Sequence, residues 1–386
     1  MRDHEVSSIA YVTTYDSTQP GSWSGIGYRM PLQLEAEGVS VERIGPLKAP
    51  RHLEVRLRSG LAKAISGKRY LSSRAPAVLD SYARQVTSQL ADLRVDVILS
   101  PGTIPIAHLE TEVPLVFWTD ATFGGLVDFY AGFSNLAPRS LQEGHALEQA
   151  ALDRCSLALY SSPWAVNTAL DHYDVDESKL RVIPFGPSLD VAPGSGDIEG
   201  IIIRRLRRPL KLLFIGTDWR RKGGDRALSV TAALMRAGID VELHIVGVRL
   251  PGPIPAVVEH GYVPSRTQEG RHKLAGLLAD ANFLLLPTRA DCLPVVLAEA
   301  CAWALPSLVT RVGGIPTVYT DGVEGHLFDL DSSEDDYVDV IRHLLQNPAE
   351  YDALCRRARS AYDDRLNWPH AAREALRLMK SVLGSS

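Results

Sequence analysis

The chain is poor in the features that mark several large classes of protein. Four cysteines in 386 residues, Cys155, Cys292, Cys301 and Cys355, stand far apart with no CxxC pair. That spacing fits neither a disulfide framework nor a zinc site, and it suits a reducing compartment. There is no basic excess: 41 Lys and Arg against 46 Asp and Glu leave a formal charge of −5. This argues against a general nucleic-acid binder, because displacing counterions from a phosphate backbone needs a strongly basic surface. No apolar run approaches the roughly 18–20 residues needed to cross a bilayer. The first fifteen residues, MRDHEVSSIAYVTTY, lack the long apolar stretch of a signal peptide, so the expected location is cytoplasmic. What is present is a globular composition, 45% apolar and 23% charged, in a chain long enough for about two domains.

Strand-like apolar runs alternate with helix-period segments throughout. SSIAYVTTY (7–15), VSVERIG (39–45), VDVILSP (95–101), VPLVFWTD (113–120), CSLALYSS (155–162) and LRVIPFG (180–186) read as strands. RMPLQLEAEG (29–38) between the first two reads as a helix closed by Gly38, a residue that readily takes the left-handed C-terminal conformation. PSLDVAPGSGDIEG (187–200) reads as a linker. A second series follows: strand LKLLFIG (210–216), loop, helix DRALSVTAALMRAG (225–238), strand DVELHIVG (240–247), then strand ANFLLLP (281–287). NWPHAAREALRLMKSVLG (367–384) has the pattern of an amphipathic helix. Such alternation predicts an α/β protein of two Rossmann-like domains with parallel sheets facing across a cleft. The expected division is 1–187, completed by a C-terminal helix at about 366–386, and 188–365.

Three segments carry chemistry. In FIGTDWRRKGG (214–224) a strand ends at Gly216, and Arg220, Arg221 and Lys222 precede a glycine pair and a helix. Cations beside a helix N-terminus favour an anion such as phosphate; the alternative is a solvated basic turn. In RADCLPVVLAEACAW (289–303), Asp291 and Glu299 flank an apolar run. A helix through VVLAEACAWA would put Glu299 about two turns beyond Asp291 on a similar azimuth, so both carboxylates could accept bonds from sugar or ribose hydroxyls. The plainer alternative is a helix N-terminal acid at Asp291 and a satisfied buried Glu299. TRVGGIPTVYTDGVEGHLF (310–328) supplies a Gly313–Gly314 turn into a short helix, then a turn to a last strand.

Taken together, these segments resemble the C-terminal half of a family 4 retaining glycosyltransferase of the GT-B fold. The family's E-x7-E pattern is matched by Asp291-x7-Glu299, its glycine pair by RVGGIPTVYTDGVEGHLF, and its Arg/Lys loop by IGTDWRRKGG. WSGIGYRMPLQLEAEG (23–38) is similar to the acceptor-side glycine loop, and SSPWAVNTALDHYDVDESKLRVIPFG (161–186) to the lead-in to the interdomain linker. The resemblance implies a hexosyltransferase working between a UDP- or GDP-linked sugar and a hydroxyl of a small molecule, glycan, protein or lipid, with no separate cofactor and no metal. Arg221 and Lys222 would neutralise the donor diphosphate beside Gly216. Glu299 would bind the ribose, and Asp291 the transferred sugar. Backbone of Leu293, Val295 and Val296 would line the phosphate and sugar. Gly25 and Gly27 would lie near the phosphates and acceptor, and Gly247, Tyr262 and Val263 beside the base.

Three positions depart from the pattern. Aspartate stands for the first glutamate at 291, Pro294 replaces a glycine, and Asp120 occupies the strand end where many members have histidine. Asp120 would accept a hydrogen bond from a sugar hydroxyl or the acceptor nucleophile; its alternative is a helix cap before ATFGG. Front-face transfer is the expected mechanism, with double displacement through Asp120 or Asp291 as the variant. A sugar-nucleotide epimerase of the same fold and a non-catalytic sugar-nucleotide-binding subunit are the competing functions. GIGYRM lacks the GxGxxG spacing of a dinucleotide-binding dehydrogenase. The basic segment 48–74 and RRLRR (204–208) read as solvated surface, with peripheral contact to anionic lipid as the alternative.

Overall fold

A computed structural model of the protein describes residues 5–50, 66–189, 192–205 and 209–383. The chain divides into two compact units, Met1–Pro184 with Ala371–Ser386, and Phe185–His370. Each holds one six-stranded sheet, and every strand pairing within it is parallel.

The first unit comprises β1 (Ser8–Val12), β2 (Ser40–Ile44), β3 (Val97–Ser100), β4 (Leu115–Thr119), β5 (Leu157–Tyr160) and β6 (Leu180–Val182), in the order β2-β1-β3-β4-β5-β6. Parallel sheets are covered on both faces, so their central strands must be apolar at every position. VILS, LVFWT and LALY follow this apart from Ser100 and Thr119 at two strand ends, and all thirteen residues of β3, β4 and β5 are buried. The edge strand β2, SVERI, alternates instead. The helix Pro76–Leu90 starts with proline at its first turn, where a missing N–H costs nothing, and buries Val78, Leu79, Tyr82 and Val86. The chain's last helix, Trp368–Leu383, contributes from Ala371 onward to this unit, where Arg373 pairs with Glu37 at 3.3 Å.

The second unit comprises β7 (Leu210–Ile215), β8 (Val241–Val246), β9 (Val257–Gly261), β10 (Phe283–Leu286), β11 (Ser307–Thr310) and β12 (Gly325–Phe328), in the order β12-β11-β10-β7-β8-β9. Strands β9 and β11 were not anticipated. Two other expectations are corrected. The helix expected from residue 29 already begins at Ile26, and the expected linker 187–200 ends inside a helix, Ile198–Arg205. That helix delivers Arg205, expected on a solvated basic run, into the interior at 2% exposure; residues 206–208 of the run lie outside the described residues. Its guanidinium donates to the carbonyls of Leu278 (2.9 Å), Ala279 (3.3 Å), Trp303 (2.5 Å) and Ala304. These carbonyls close the helices Gln268–Asp280 and Val296–Ala302. A cation there satisfies orphan carbonyls and complements both helix dipoles. Of the basic segment 48–74, residues 51–65 lie outside the described residues, while Arg74 is buried rather than solvated. No helix among the described residues is long and apolar enough to cross a membrane.

Asp96, just ahead of β3, ties the start of β1 to the start of its neighbour. Its Oδ2 accepts from Ser7 N (2.8 Å), Ser7 Oγ (2.8 Å), Ser8 N (2.9 Å) and Ser8 Oγ (3.1 Å). Partial burial pushes this carboxyl up, but the serine hydrogen bonds outweigh that and hold it below the usual aspartate range. A lowered folded-state value contributes stability above the unfolded aspartate range, lost as pH falls through the folded value. Asp96→Asn should therefore lower the stability of the first unit by about 1 kcal/mol at pH 7, kept small by solvent access. In urea midpoints measured over a pH series, the gap to the unsubstituted protein should close on acidification.

Candidate functional site

In the second sheet β7 and β10 are neighbours although β8 and β9 lie between them in sequence, so the strand order reverses there. Open α/β sheets bind ligands outside the carboxyl ends of the strands at such a switch point. The two loops that leave those ends are in contact. The β7 loop comes so close to the β10 loop that only glycine fits: a Cβ at Gly223, where φ is +77°, would lie 1.9 Å from the Pro287 carbonyl oxygen. Gly247, at the end of β8 with φ +109°, is similarly pressed against Gly216.

The closeness brings Lys222 onto Asp291. Lys222 Nζ lies 2.6 Å from Asp291 Oδ2, the Thr288 hydroxyl 3.1 Å from the same oxygen, and Arg221 Nη1 3.2 Å from Oδ1. Arg221 also donates to the Ala290 carbonyl at 2.9 Å, and Asp218 flanks its Nε at 3.4 Å. Asp291 is only 8% exposed at its side chain, whereas Arg221 keeps 29%. A buried carboxylate needs partners of this kind because desolvating it alone is costly. Arg220 points away: it is exposed, and its carbonyl accepts from Arg289, which forks onto Asp225 at 2.7 Å through both nitrogens.

The helix after β10 corrects one expectation. It begins at Val296, so Asp291 stands on the preceding loop and Glu299 in the first turn of the helix; the two do not share a helix face. Glu299 is half-buried rather than buried, and its Oε1 accepts the Ser188 N–H at 3.2 Å. Leu293 and Val295 are half-buried beside it, and Val296 is buried. Pro294 has no N–H to offer a ligand. The Gly313–Gly314 turn reaches this loop, with the Gly314 N–H donating to the Cys292 carbonyl at 2.7 Å. Near the end of β8, the Gly247 N–H donates to the Gly261 carbonyl at 2.8 Å; Tyr262 follows at 68% exposure and Val263 is buried.

The first sheet also reverses its order, between β1 and β3, and a cavity of about 440 Å³ opens at the carboxyl ends of β1, β3 and β4. Thr14 and Tyr15 after β1, Gly102 and Thr103 after β3, and Asp120 after β4 line it, with Trp23, Arg74, Phe123 and Glu148. The cap alternative for Asp120 is corrected: Thr122 caps the short helix Phe123–Leu126, accepting the Gly125 N–H at 3.0 Å. Trp23, Ser24 and Gly25 are consecutive left-handed residues (φ 47°, 54° and 88°) that turn the chain into the helix Ile26–Ala36. Gly27 follows against Tyr15, whose hydroxyl would sit 2.2 Å from a Cβ there. Arg74 and Glu148 were missed from sequence. Arg74 lay in a segment read as solvated, and Glu148 belongs to the helix Pro138–Arg154, where its place on the apolar stripe with Leu147, Ala151 and Leu152 was the available signal.

Residues 209–347 match the family model described as glycosyl transferases group 1. That stretch of the second unit is thus similar to the group 1 glycosyltransferases. A D-inositol 3-phosphate glycosyltransferase of Nocardiopsis dassonvillei is 27% identical over 224 residues, covering 53% of this chain and 51% of the relative, so the match spans about half of that protein. Among solved structures, sucrose-phosphate synthase from Thermosynechococcus elongatus superposes with a TM-score of 0.69 at 16% identity, over 98% of this chain and 100% of that one. Anabaena HepE in complex with UDP and glucose gives a TM-score of 0.60 at 14% identity, over 98% and 100%. Each unit thus has the fold of the corresponding part of these GT-B structures.

The contact at Gly223 sets a prediction for the β7 loop. Gly223→Ala adds both a left-handed strain and a backbone clash, and should destabilise the second unit by at least about 2 kcal/mol. A lowered urea midpoint for that unit is the expected result, with Gly238→Ala, where nothing lies within 4 Å, losing only the conformational part, about 1 kcal/mol.

Proposed function

We propose that the protein is a retaining glycosyltransferase that moves a hexose from a nucleoside diphosphate sugar to a hydroxyl acceptor. The observation that carries this reading is the cluster of Arg221, Lys222 and Asp291 at the switch point of the second sheet. Two cations held beside a carboxylate, at the end of a loop that opens a helix, can take over a diphosphate as it leaves. Lys222 and Arg221 would exchange part of their contact with Asp291 for the phosphate oxygens, and Asp291 would then accept from a hydroxyl of the transferred sugar. Glu299 would accept from the ribose. UDP- and GDP-linked sugars are the donors in view, UDP first because a protein of this fold has been solved with it.

In front-face transfer the C1–phosphate bond breaks and the C1–acceptor oxygen bond forms on the same face of the sugar. The acceptor proton passes to the departing diphosphate, whose negative charge Arg221 and Lys222 stabilise without a metal. Asp120, on the wall of the first unit's cavity, would orient the acceptor hydroxyl. An epimerase would need no acceptor pocket, and the cavity beside Asp120 is the reason to favour transfer over it.

The test is direct. A thermal-shift screen of UDP-, GDP- and ADP-sugars should find one that stabilises the protein by mass action. With that donor, Lys222→Ala should lower kcat/KM about 100- to 1,000-fold, and Glu299→Ala should raise the donor KM about tenfold. Unchanged turnover in both variants would remove the site assignment.

A further inference from the structure

Arg289 lies two residues before Asp291 and reaches the β7 loop with backbone and side chain together. Its N–H donates to the Arg221 carbonyl at 2.7 Å, and its Nη1 donates to the Arg220 carbonyl at 2.7 Å. Nη1 and Nη2 also fork onto Asp225 Oδ1 and Oδ2, each at 2.7 Å. Asp225 stands in the first turn of the helix Gly224–Arg236, directly after the loop. One residue of the β10 loop therefore holds the β7 loop on both sides of Lys222.

The β7 loop has bonds of its own. The Lys222 N–H donates to the Asp218 carbonyl at 2.9 Å, the Gly224 N–H to the Trp219 carbonyl at 2.9 Å, and the Gly223 N–H to the Arg220 carbonyl at 3.3 Å. Such bonds keep the shape of the loop and would travel with it. Its place against Asp291 must come from outside. The Thr288 hydroxyl, 3.1 Å from the Arg221 carbonyl, and the close approach of Gly223 to Pro287 supply part of that. The Arg289 side chain supplies a separate part, at the Arg220 carbonyl and the start of the helix.

Stability is a weak reason for this fork. The side chains of Arg289 and Asp225 are 43% and 57% exposed, and exposed ion pairs contribute little to folding. Placement is a stronger one. Cations that stabilise a leaving diphosphate act over a few ångströms, and rates fall steeply when they are misplaced. A planar guanidinium fixes direction as well as distance, whereas an ammonium supplies charge alone. The contact also holds both partners ionised: the Arg289 hydrogen bonds keep the Asp225 carboxyl below the usual aspartate range, and Asp225 raises the Arg289 guanidinium above its ordinary value.

We propose that Arg289 is a positioning residue for the transfer: anchored on Asp225, its side chain fixes the loop that aims Arg221 and Lys222 at the leaving diphosphate. The inference rests on reading the second unit as the donor side of a glycosyltransferase, and it gives Arg289 no contact with the donor.

The experiment uses the full chain and the donor found by thermal shift. Arg289→Ala should lower kcat about 10- to 100-fold at saturating donor, with the donor KM moved less than about threefold. Arg289→Lys, which keeps the charge but not the fork, should recover only part of the loss. Asp225→Asn leaves Arg289 on the Arg220 carbonyl and should cost less than Arg289→Ala. Combining Asp225→Asn with Arg289→Ala should cost no more than Arg289→Ala alone, because the two residues act as one unit. The urea midpoint of the second unit should move by less than about 0.5 M in each variant. A lowered midpoint with kcat unmoved, a change confined to the donor KM, full recovery by lysine, or additive losses in the double variant would overturn the proposal. Turnover by the unsubstituted protein would in those cases leave the transferase reading in place. Absence of turnover with every sugar nucleotide would overturn that reading, and this proposal with it.

Discussion

Asp291 is the carboxylate around which the second unit's ligand edge is organised. It is held from three directions, by Lys222, Arg221 and the Thr288 hydroxyl, and each comes from a loop that leaves the sheet at β7 or β10. Removing such partners would leave an uncompensated buried charge, a cost of several kcal/mol. The arrangement therefore works in two directions. It fastens two loops that share no local sequence, and it holds two cations in place before any ligand arrives. Preorganised charge of this kind is what a leaving diphosphate requires, since little reorganisation remains at the moment of bond cleavage. The glycines at 216, 223 and 247 belong to the same construction, because each admits backbone or a lysine stem where a side chain would stand.

The first unit handles polar burial differently. Around its cavity the protein leaves Arg74 and Glu148 partly unsatisfied, and it holds Trp23, Ser24 and Gly25 in left-handed conformations at the rim. Strain and unmet hydrogen bonds thus gather at one end of this sheet. Both sheets place their polar clusters at the point of order reversal, so one topological rule positions a charge-saturated edge in one unit and a cavity lined by Arg74, Asp120 and Glu148 in the other.

Much of this was legible in sequence. Runs such as LVFWT and LKLLFI announce strands covered on both faces, and Gly38 and Gly238 mark helix ends by their left-handed backbone. Strand β9, VVEHG, escaped because it lies at the sheet edge, where exposure relaxes the demand for apolar residues. The residue types of the cluster in the second unit were visible, but not that Lys222 and Asp291, 69 positions apart, bond to each other. Local periodicity carries no information about such pairs. Arg74 and Arg205 were taken for surface because their partners come from elsewhere in the chain: aromatic rings for one, helix-end carbonyls for the other. Glu299 was expected about two helical turns beyond Asp291 on a similar azimuth, whereas the helix starts only at Val296 and places Glu299 in its first turn.

The chain's last helix has a consequence for synthesis. The first unit is made of two separate stretches, and its final piece begins at Ala371, after the second unit ends at His370. On a ribosome the sheet of the first unit emerges ahead of the second unit but lacks that helix until the second unit has been made. The second unit, by contrast, is contiguous and leaves the exit tunnel complete. Domains generally fold as units while being made, so the first unit can complete its folding only after the second unit has emerged. Until then, the surface awaiting Ala371, Ala372, Ala375 and Met379, all buried in the finished protein, is exposed to solvent.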